Sequence, residues 1–188
     1  MRIAVFASGS GSNFEALAHA FPEQIKLVFS DKEKSYVLER AKRLNVTSLS
    51  FALKSFVDKN AYEAALVQML MDHQIDLICL AGYMKIIGPT LLKAYEGRII
   101  NIHPSYLPHF AGSAHALEES WKAKEGLGIT VHWVDAGVDT GEILAQKELP
   151  YCPEYQEYEN KLHQAEHALY IEVLQQLNKD SKNTNNID

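Results

Sequence analysis

The chain has 188 residues, 47% of them hydrophobic and 22% charged, with a formal net charge of −6. That length suits one domain with a sizeable core, and the acidic balance lacks the basic stripe of a general nucleic-acid binder. No apolar run reaches membrane-spanning length, Met1–Phe6 carries no signal-peptide pattern, and the two cysteines give neither a disulfide framework nor zinc spacing. A cytoplasmic, reduced protein with no nucleic-acid or membrane partner is expected.

Ile3–Ala7 is a short apolar run stopped by Ser8-Gly9-Ser10-Gly11, which reads as a buried strand entering a turn. Helical spacing follows from Ser12 or Asn13 to about Ala20. Ile25–Phe29 is a second strand, and Ser35–Leu44 a second helix rich in Lys, Arg and Glu. Val46–Ala52 reads as a third strand. Asp58–Asp72 is a strong helix with Tyr62, Ala65, Leu66 and Leu70 on one side. Leu77–Ala81, almost wholly apolar, is a fourth strand of the buried parallel type, and Cys79 within it is expected to be a buried thiol. A short helix spans Pro89–Tyr95, and a fifth strand, Arg98–Ile102, leads into His103-Pro104.

After His103 the rhythm changes. Leu107–Ala114 is loop, Ala116–Lys124 a helix, and Ile129–Val134 an alternating strand with Glu142–Leu149 as its antiparallel partner. A last helix runs from about Glu154 to Leu177, with Tyr158, Leu162, Ala165, Leu169 and Val173 at helical spacing. Lys179–Asp188 is a polar tail expected to fray into disorder. The pattern predicts an α/β fold: a doubly wound, mostly parallel, Rossmann-like sheet with an antiparallel C-terminal part, within one domain over 1–178. Such sheets bind ligands beyond the carboxyl ends of their strands, where Gly9–Asn13, Gly82–Ile87 and Asn101–His103 all fall.

Ser8–Asn13 joins a strand to a helix, so its glycines let backbone N–H groups approach an anion at the helix N-terminus. Phe14 stands where a dinucleotide fingerprint wants a third glycine, and no Gly-Lys-Ser/Thr follows. A phosphomonoester therefore fits better than a dinucleotide or ATP. A plain turn with Ser12 or Asn13 as helix cap is the competing reading.

Asn101 and His103 lie two residues apart on one strand face. An amide that donates to an oxyanion and an imidazole that moves a proton are what acyl transfer to an amine requires. Asp139, in the turn-rich loop Asp135–Gly141, is a carboxylate that would raise the pKa of His103 if it lay alongside, or else a turn residue. His132 faces one side of its strand as a supporting or a core histidine. His103, His109 and His115 share no ligand periodicity, so no metal is expected. No Gly-x-Ser-x-Gly elbow is present. Taken alone, Glu166 reads as a helix-edge carboxylate and Lys59 as a surface lysine.

Ser8–Asn13, Leu80-Ala81-Gly82-Tyr83-Met84-Lys85-Ile86-Ile87, Gly97–Pro108, and Thr130–Val134 through Asp139-Thr140-Gly141 together resemble the phosphoribosylglycinamide formyltransferases. These are folate-dependent enzymes of purine synthesis, and order and spacing match from residue 1 to about 178. The resemblance implies the formyltransferase version of the fold. It also implies formyl transfer from 10-formyltetrahydrofolate to the glycinamide amine of a phosphoribosyl substrate, without a metal. It assigns Asn101, His103 and Asp139 to catalysis, with His132 in support. Gly11, Ser12, Asn13, His163 and Glu166 go to the phosphoribosyl substrate. Lys59, Met84, Lys85, Ile86, Ile87, Asn101 and the loop residues Asp135, Ala136, Gly137, Val138 and Asp139 go to the folate.

Three features depart from the family pattern. Lys85 stands where Arg is frequent, which keeps charge and loses a planar fork. Tyr106 replaces a usual Leu, and Phe110–His115 differs from the commoner loop. A formyltetrahydrofolate hydrolase or methionyl-tRNA formyltransferase would share the core, with an added domain not expected in 188 residues. A non-catalytic phosphate-sensing α/β module would need the turn but not His103 and Asp139 together. Monomer and homodimer are both open.

Overall fold

Alternation along the first strand divides the core in two. In β1 (Ile3–Phe6), Ile3 and Val5 face one layer while Ala4 and Phe6 face the other, and all four are fully buried. The structure is a computed structural model that describes residues 1–184, with side chains described through Ser181. Its other strands are β2 (Ile25–Ser30), β3 (Thr47–Ser50), β4 (Leu77–Leu80), β5 (Ile99–His103), β6 (Gly128–Trp133) and β7 (Ile143–Glu148). They form one seven-stranded sheet in the order β3-β2-β1-β4-β5-β6-β7. The first five are mutually parallel, and β6 and β7 add antiparallel. The expected doubly wound sheet with an antiparallel C-terminal part is therefore what the chain forms.

Helices cover both faces. Phe14 and Leu17 of α1 (Ser12–Ala20), Val37 and Ala41 of α2 (Tyr36–Arg43), and Tyr158, Leu162 and Tyr170 of α6 (Tyr155–Thr184) pack on the Ile3 side. Tyr62, Leu66 and Leu70 of α3 (Lys59–Asp72) and Leu91 of α4 (Pro89–Ala94) pack on the Phe6 side. The small helix α5 (Ala116–Ala123) leans on the first layer through Leu117 and Trp121. Each large apolar side chain buried this way contributes roughly 1.5–3 kcal/mol of transfer free energy. Cys79 lies in this core, where burial pushes its thiol pKa up to about 12.

Two boundaries differ most from the sequence reading. The third strand stops at Ser50, and a single 3-10 turn over Leu53–Ser55 follows it. The last helix does not fray at residue 179 but continues to Thr184. Its end is docked by paired amide bonds, Gln24 Nε2 to Asn178 Oδ1 at 2.8 Å and Asn178 Nδ2 to Gln24 Oε1 at 2.9 Å. Those bonds are invisible to helical periodicity. The remainder of the expected tail, 185–188, lies outside the described residues.

The strand order reverses between β1 and β4, since α1 leaves on one face and α3 returns on the other. Their carboxyl ends therefore part to open a crevice. Two buried carboxylates fix the segment that follows β4. Asp31 accepts from Ser8 Oγ at 2.5 Å, and that same oxygen accepts the Met84 N–H at 2.9 Å. Glu63 accepts the N–H groups of Gly88 at 2.6 Å and Leu91 at 3.1 Å, capping α4 from another helix. Tyr62 and Tyr83 share a hydroxyl hydrogen bond of 2.8 Å beside it. Residues 83–88 are thus held at both ends.

Glu63→Ala leaves two amides without their acceptor, so a loss of about 1–3 kcal/mol is expected from the urea midpoint. Lys59→Ala, which removes only a half-exposed partner 3.8 Å from Glu63, is expected to cost less than about 1 kcal/mol. Equal losses in the two variants would contradict the capping role.

Candidate active site

A cleft of about 380 Å³ occupies the crevice. Its walls come from the turn after β1, the segment after β4, the end of β5, and residues 112–114, 135 and 137–139, with His163 and Glu166 from α6. Strands β5 and β6 place its polar groups. Antiparallel register sets Asn101 opposite His132 and His103 opposite Thr130. The alternation that turns Ile100 and Ile102 into the core turns Asn101 and His103 to the other face.

Asp139 meets this strand pair from the loop before β7. Its Oδ2 lies 3.3 Å from His103 Nδ1 and accepts the Gly112 N–H at 2.8 Å. Its Oδ1 accepts from Asn101 Nδ2 at 3.4 Å and lies 3.4 Å from His132 Nε2. The loop reaches this position with Asp139 at φ 55°, a left-handed conformation that aspartate tolerates better than most residues. Asp135 Oδ1 holds the approach, accepting from Gly137 N at 3.0 Å and Thr140 Oγ1 at 2.7 Å. His132 Nδ1 sits 2.7 Å from the Trp133 carbonyl, and its Nε2 lies 3.3 Å from Asn101 Nδ2.

The electrostatics of His103 differ from the sequence expectation. Burial lowers its pKa below the ordinary 6.5, and the opposing pull of Asp139 and of the Phe110 carbonyl, 3.1 Å from Nε2, does not make up the difference. The ring is 5% exposed, so little water remains to stabilise an imidazolium. For Asp139, burial taken alone would raise the carboxyl. The His132 hydrogen bond, His103 and the Gly112 N–H together hold it below its ordinary 3.8. The site at neutral pH is a carboxylate beside a neutral, acceptor-flanked imidazole.

The end of the cleft formed by the turn after β1 is built differently. Gly11 takes φ +75°, and a Cβ there would run into Val37 of α2, so only glycine fits. The first N–H groups of α1 have no partner within the helix and lie at its positive end. Asn13 donates to Glu166 Oε2 at 3.2 Å, and His163 Nδ1 lies 3.0 Å from the same oxygen. That bond to Glu166 raises the pKa of His163. Asn13, which lines the cleft, is 9% exposed, and its Oδ1 is buried with no protein donor.

Apolar side chains line the third part. Met84, Ile86 and Val138 are 56%, 64% and 44% exposed at the cleft. Lys85 lies on the cleft with its Nζ 3.9 Å from Asp31. Lys59 faces instead an adjoining recess of about 100 Å³ that shares Lys85, Ile86 and Ile87 with the cleft. Ala136 is not among the residues lining the cleft, unlike Asp135, Gly137, Val138 and Asp139.

Sequence reasoning missed several groups. Ser8 and Asp31 sit at carboxyl ends of parallel strands, a position that could have flagged them. The Phe110 carbonyl and Gly112 N–H act through backbone and leave no trace in residue type. Among the described residues no group of three or more His, Cys, Asp or Glu side chains is arranged to hold a metal ion, and no helix is long and apolar enough to cross a membrane.

The two histidines are expected to titrate on opposite sides of 6.5 in NMR: His103 below it and His163 above it. Stability linked to His103 is present above about 6.5 and is lost as pH falls through its lowered pKa, because the unfolded chain takes up the proton first. Stability linked to His163 is present below about 6.5 and is lost as pH rises through its raised pKa. Asp139→Asn is expected to lower the His103 midpoint further. An upward shift would overturn the assignment.

Residues 1–174 match the formyl transferase family model. The phosphoribosylglycinamide formyltransferase of Bacillus subtilis strain 168 is 45% identical over 184 residues, covering 94% of each chain. A crystal structure of phosphoribosylglycinamide formyltransferase from Streptococcus pneumoniae TIGR4 has a TM-score of 0.90 at 56% identity, covering 94% of this chain and 98% of that one. The corresponding Bacillus halodurans crystal structure gives 0.89 at 43% identity, covering 94% and 95%.

Proposed function

The chain belongs to the formyl transferase family, and from that premise we propose that it moves the formyl group of 10-formyltetrahydrofolate onto the amine of phosphoribosylglycinamide. One observation carries the catalytic part of this reading. An amide, an imidazole and a carboxylate meet at one wall of a cleft whose other end is a helix N-terminus built for an anion. Residues 1–178 act in this reading as one catalytic domain.

The phosphate of the substrate takes the N–H groups of Gly11, Ser12 and Asn13. The ribose meets Glu166 with His163 beside it. The folate ring lies along Met84, Ile86, Ile87 and Val138, whose exposed apolar surface suits a flat heterocycle, with the backbone of 135–139 along its polar edge. Lys85 and, from the adjoining recess, Lys59 serve its acidic tail. The formyl folate supplies a carbonyl carbon bonded to a nitrogen that can leave.

The neutral amine attacks that carbon, and a new C–N bond forms as the carbonyl π pair moves onto oxygen. Asn101 Nδ2 turns from Asp139 to donate to this oxyanion, and His103 stabilises it from the adjacent position. An arriving phosphate dianion raises the proton affinity of His103, whose ring nitrogens already face two acceptors. His103 then holds the proton lost by the attacking amine. Asp139 balances that charge while the proton passes to the folate nitrogen as its C–N bond breaks. His132 keeps Asn101 and Asp139 in register.

His103→Ala and Asp139→Ala are each expected to lower turnover by about 10²–10³ or more while the circular dichroism spectrum stays native. In a folate absorbance assay, wild-type turnover is expected only when both substrates are present. Turnover without the amine would point to hydrolysis, and none with both would end the transferase reading.

A further inference from the structure

The orientation of the anion-facing turn is imposed from outside it. A trans peptide holds its C=O and N–H antiparallel, so anchoring one carbonyl aims the following amide the opposite way. Helix α2 anchors two in succession: the Val37 N–H donates to the Gly9 carbonyl at 3.1 Å, and Arg40 Nε donates to the Ser10 carbonyl at 2.8 Å. The second of these aims the Gly11 N–H away from Arg40. Arg40 itself does not line the cleft.

Its guanidinium is only 19% exposed, stacks 5.0 Å from the centre of the Tyr36 ring, and pairs with Glu15 in the first turn of α1. A carboxylate at that place favours an isolated helix but would oppose a bound phosphate. We propose that Arg40 is a positioning residue for the phosphate site. It turns the Ser10–Gly11 peptide so that its amide serves the anion, and together with Arg43, 3.5 Å from the same carboxylate, it neutralises Glu15 so that the helix terminus keeps its positive field. Asn13, which lines the same cleft, carries a buried Oδ1 with no protein donor. The proposal rests on the phosphoribosyl reading above and adds a residue that governs affinity for that substrate alone.

The test uses Arg40→Gln in the full chain. Steady-state kinetics are measured with both substrates, and inorganic phosphate binding is followed by titration calorimetry. The KM for phosphoribosylglycinamide is expected to rise about ten-fold, the scale of one charge-assisted hydrogen bond. Phosphate binding is expected to weaken in parallel, while kcat and the KM for the formyl folate stay within about two-fold. Adding Glu15→Gln is expected to restore part of the loss and leave the rest, because charge is rebalanced but the peptide is not re-anchored. Complete restoration by the double variant, or a rise in both KM values together, would overturn the positioning role. Unchanged phosphate binding in Arg40→Gln overturns it as well while sparing the phosphoribosyl reading. A wild-type protein that ignores phosphate overturns both. Should Arg40→Gln fail to fold, Arg40→Lys keeps the charge without the fork and is read by the same criteria.

Discussion

A single carboxylate gathers the polar wall of the cleft. Asp139 receives Asn101 and Gly112, stands against His103, and abuts His132, so residues from β5, β6 and two loops converge on two oxygens. None of these groups is free to sit elsewhere. His103 is nearly excluded from water, and in its neutral form its single N–H can satisfy only one of the two acceptors that flank the ring. The left-handed backbone at Asp139 is a local strain that this convergence maintains. The balance of burial against these acceptors leaves the ring short of a proton, the condition in which it can accept one.

The sheet makes that convergence possible. Parallel strands deliver β1, β4 and β5 with their carboxyl ends on one side, and the reversal of strand order opens the crevice between the first two. The antiparallel step to β6 then sets His132 across from Asn101. Buried carboxylates recur as fasteners: Asp31 and Glu63 secure the segment after β4, and Glu166 secures Asn13 at the head of α1. Each accepts from donors on distant parts of the chain. The segments after β1 and β4 are therefore tied by side-chain acceptors as well as by their flanking strands.

Much of this was legible in the sequence. Apolar runs and helical spacing gave every strand within about two residues, because burial on both faces leaves so plain a pattern in parallel strands. Asn101 and His103 were readable as a pair from strand alternation, and the glycine turn from its place between strand and helix. Other features were not readable. The direction of the His103 shift depends on how deeply the ring is buried, which a neighbouring charge in sequence cannot report. Glu63 hides in a helix as an ordinary glutamate until α4 presents its amides. Lys59 belongs to a recess beside the cleft rather than to the cleft itself, a distinction set by side-chain reach. The last helix, held to Gln24 through Asn178, continues across residues whose composition resembles a tail.

The central claim is that His103 and Asp139 act as one unit. A double-mutant cycle on formyl transfer measures this directly, comparing His103→Ala, Asp139→Ala and the combined variant at saturating substrates. The account predicts that the combined variant is about as slow as the worse single one, because the first substitution already removes the shared function. Losses that multiply in the combined variant would show two independent contributions and contradict it.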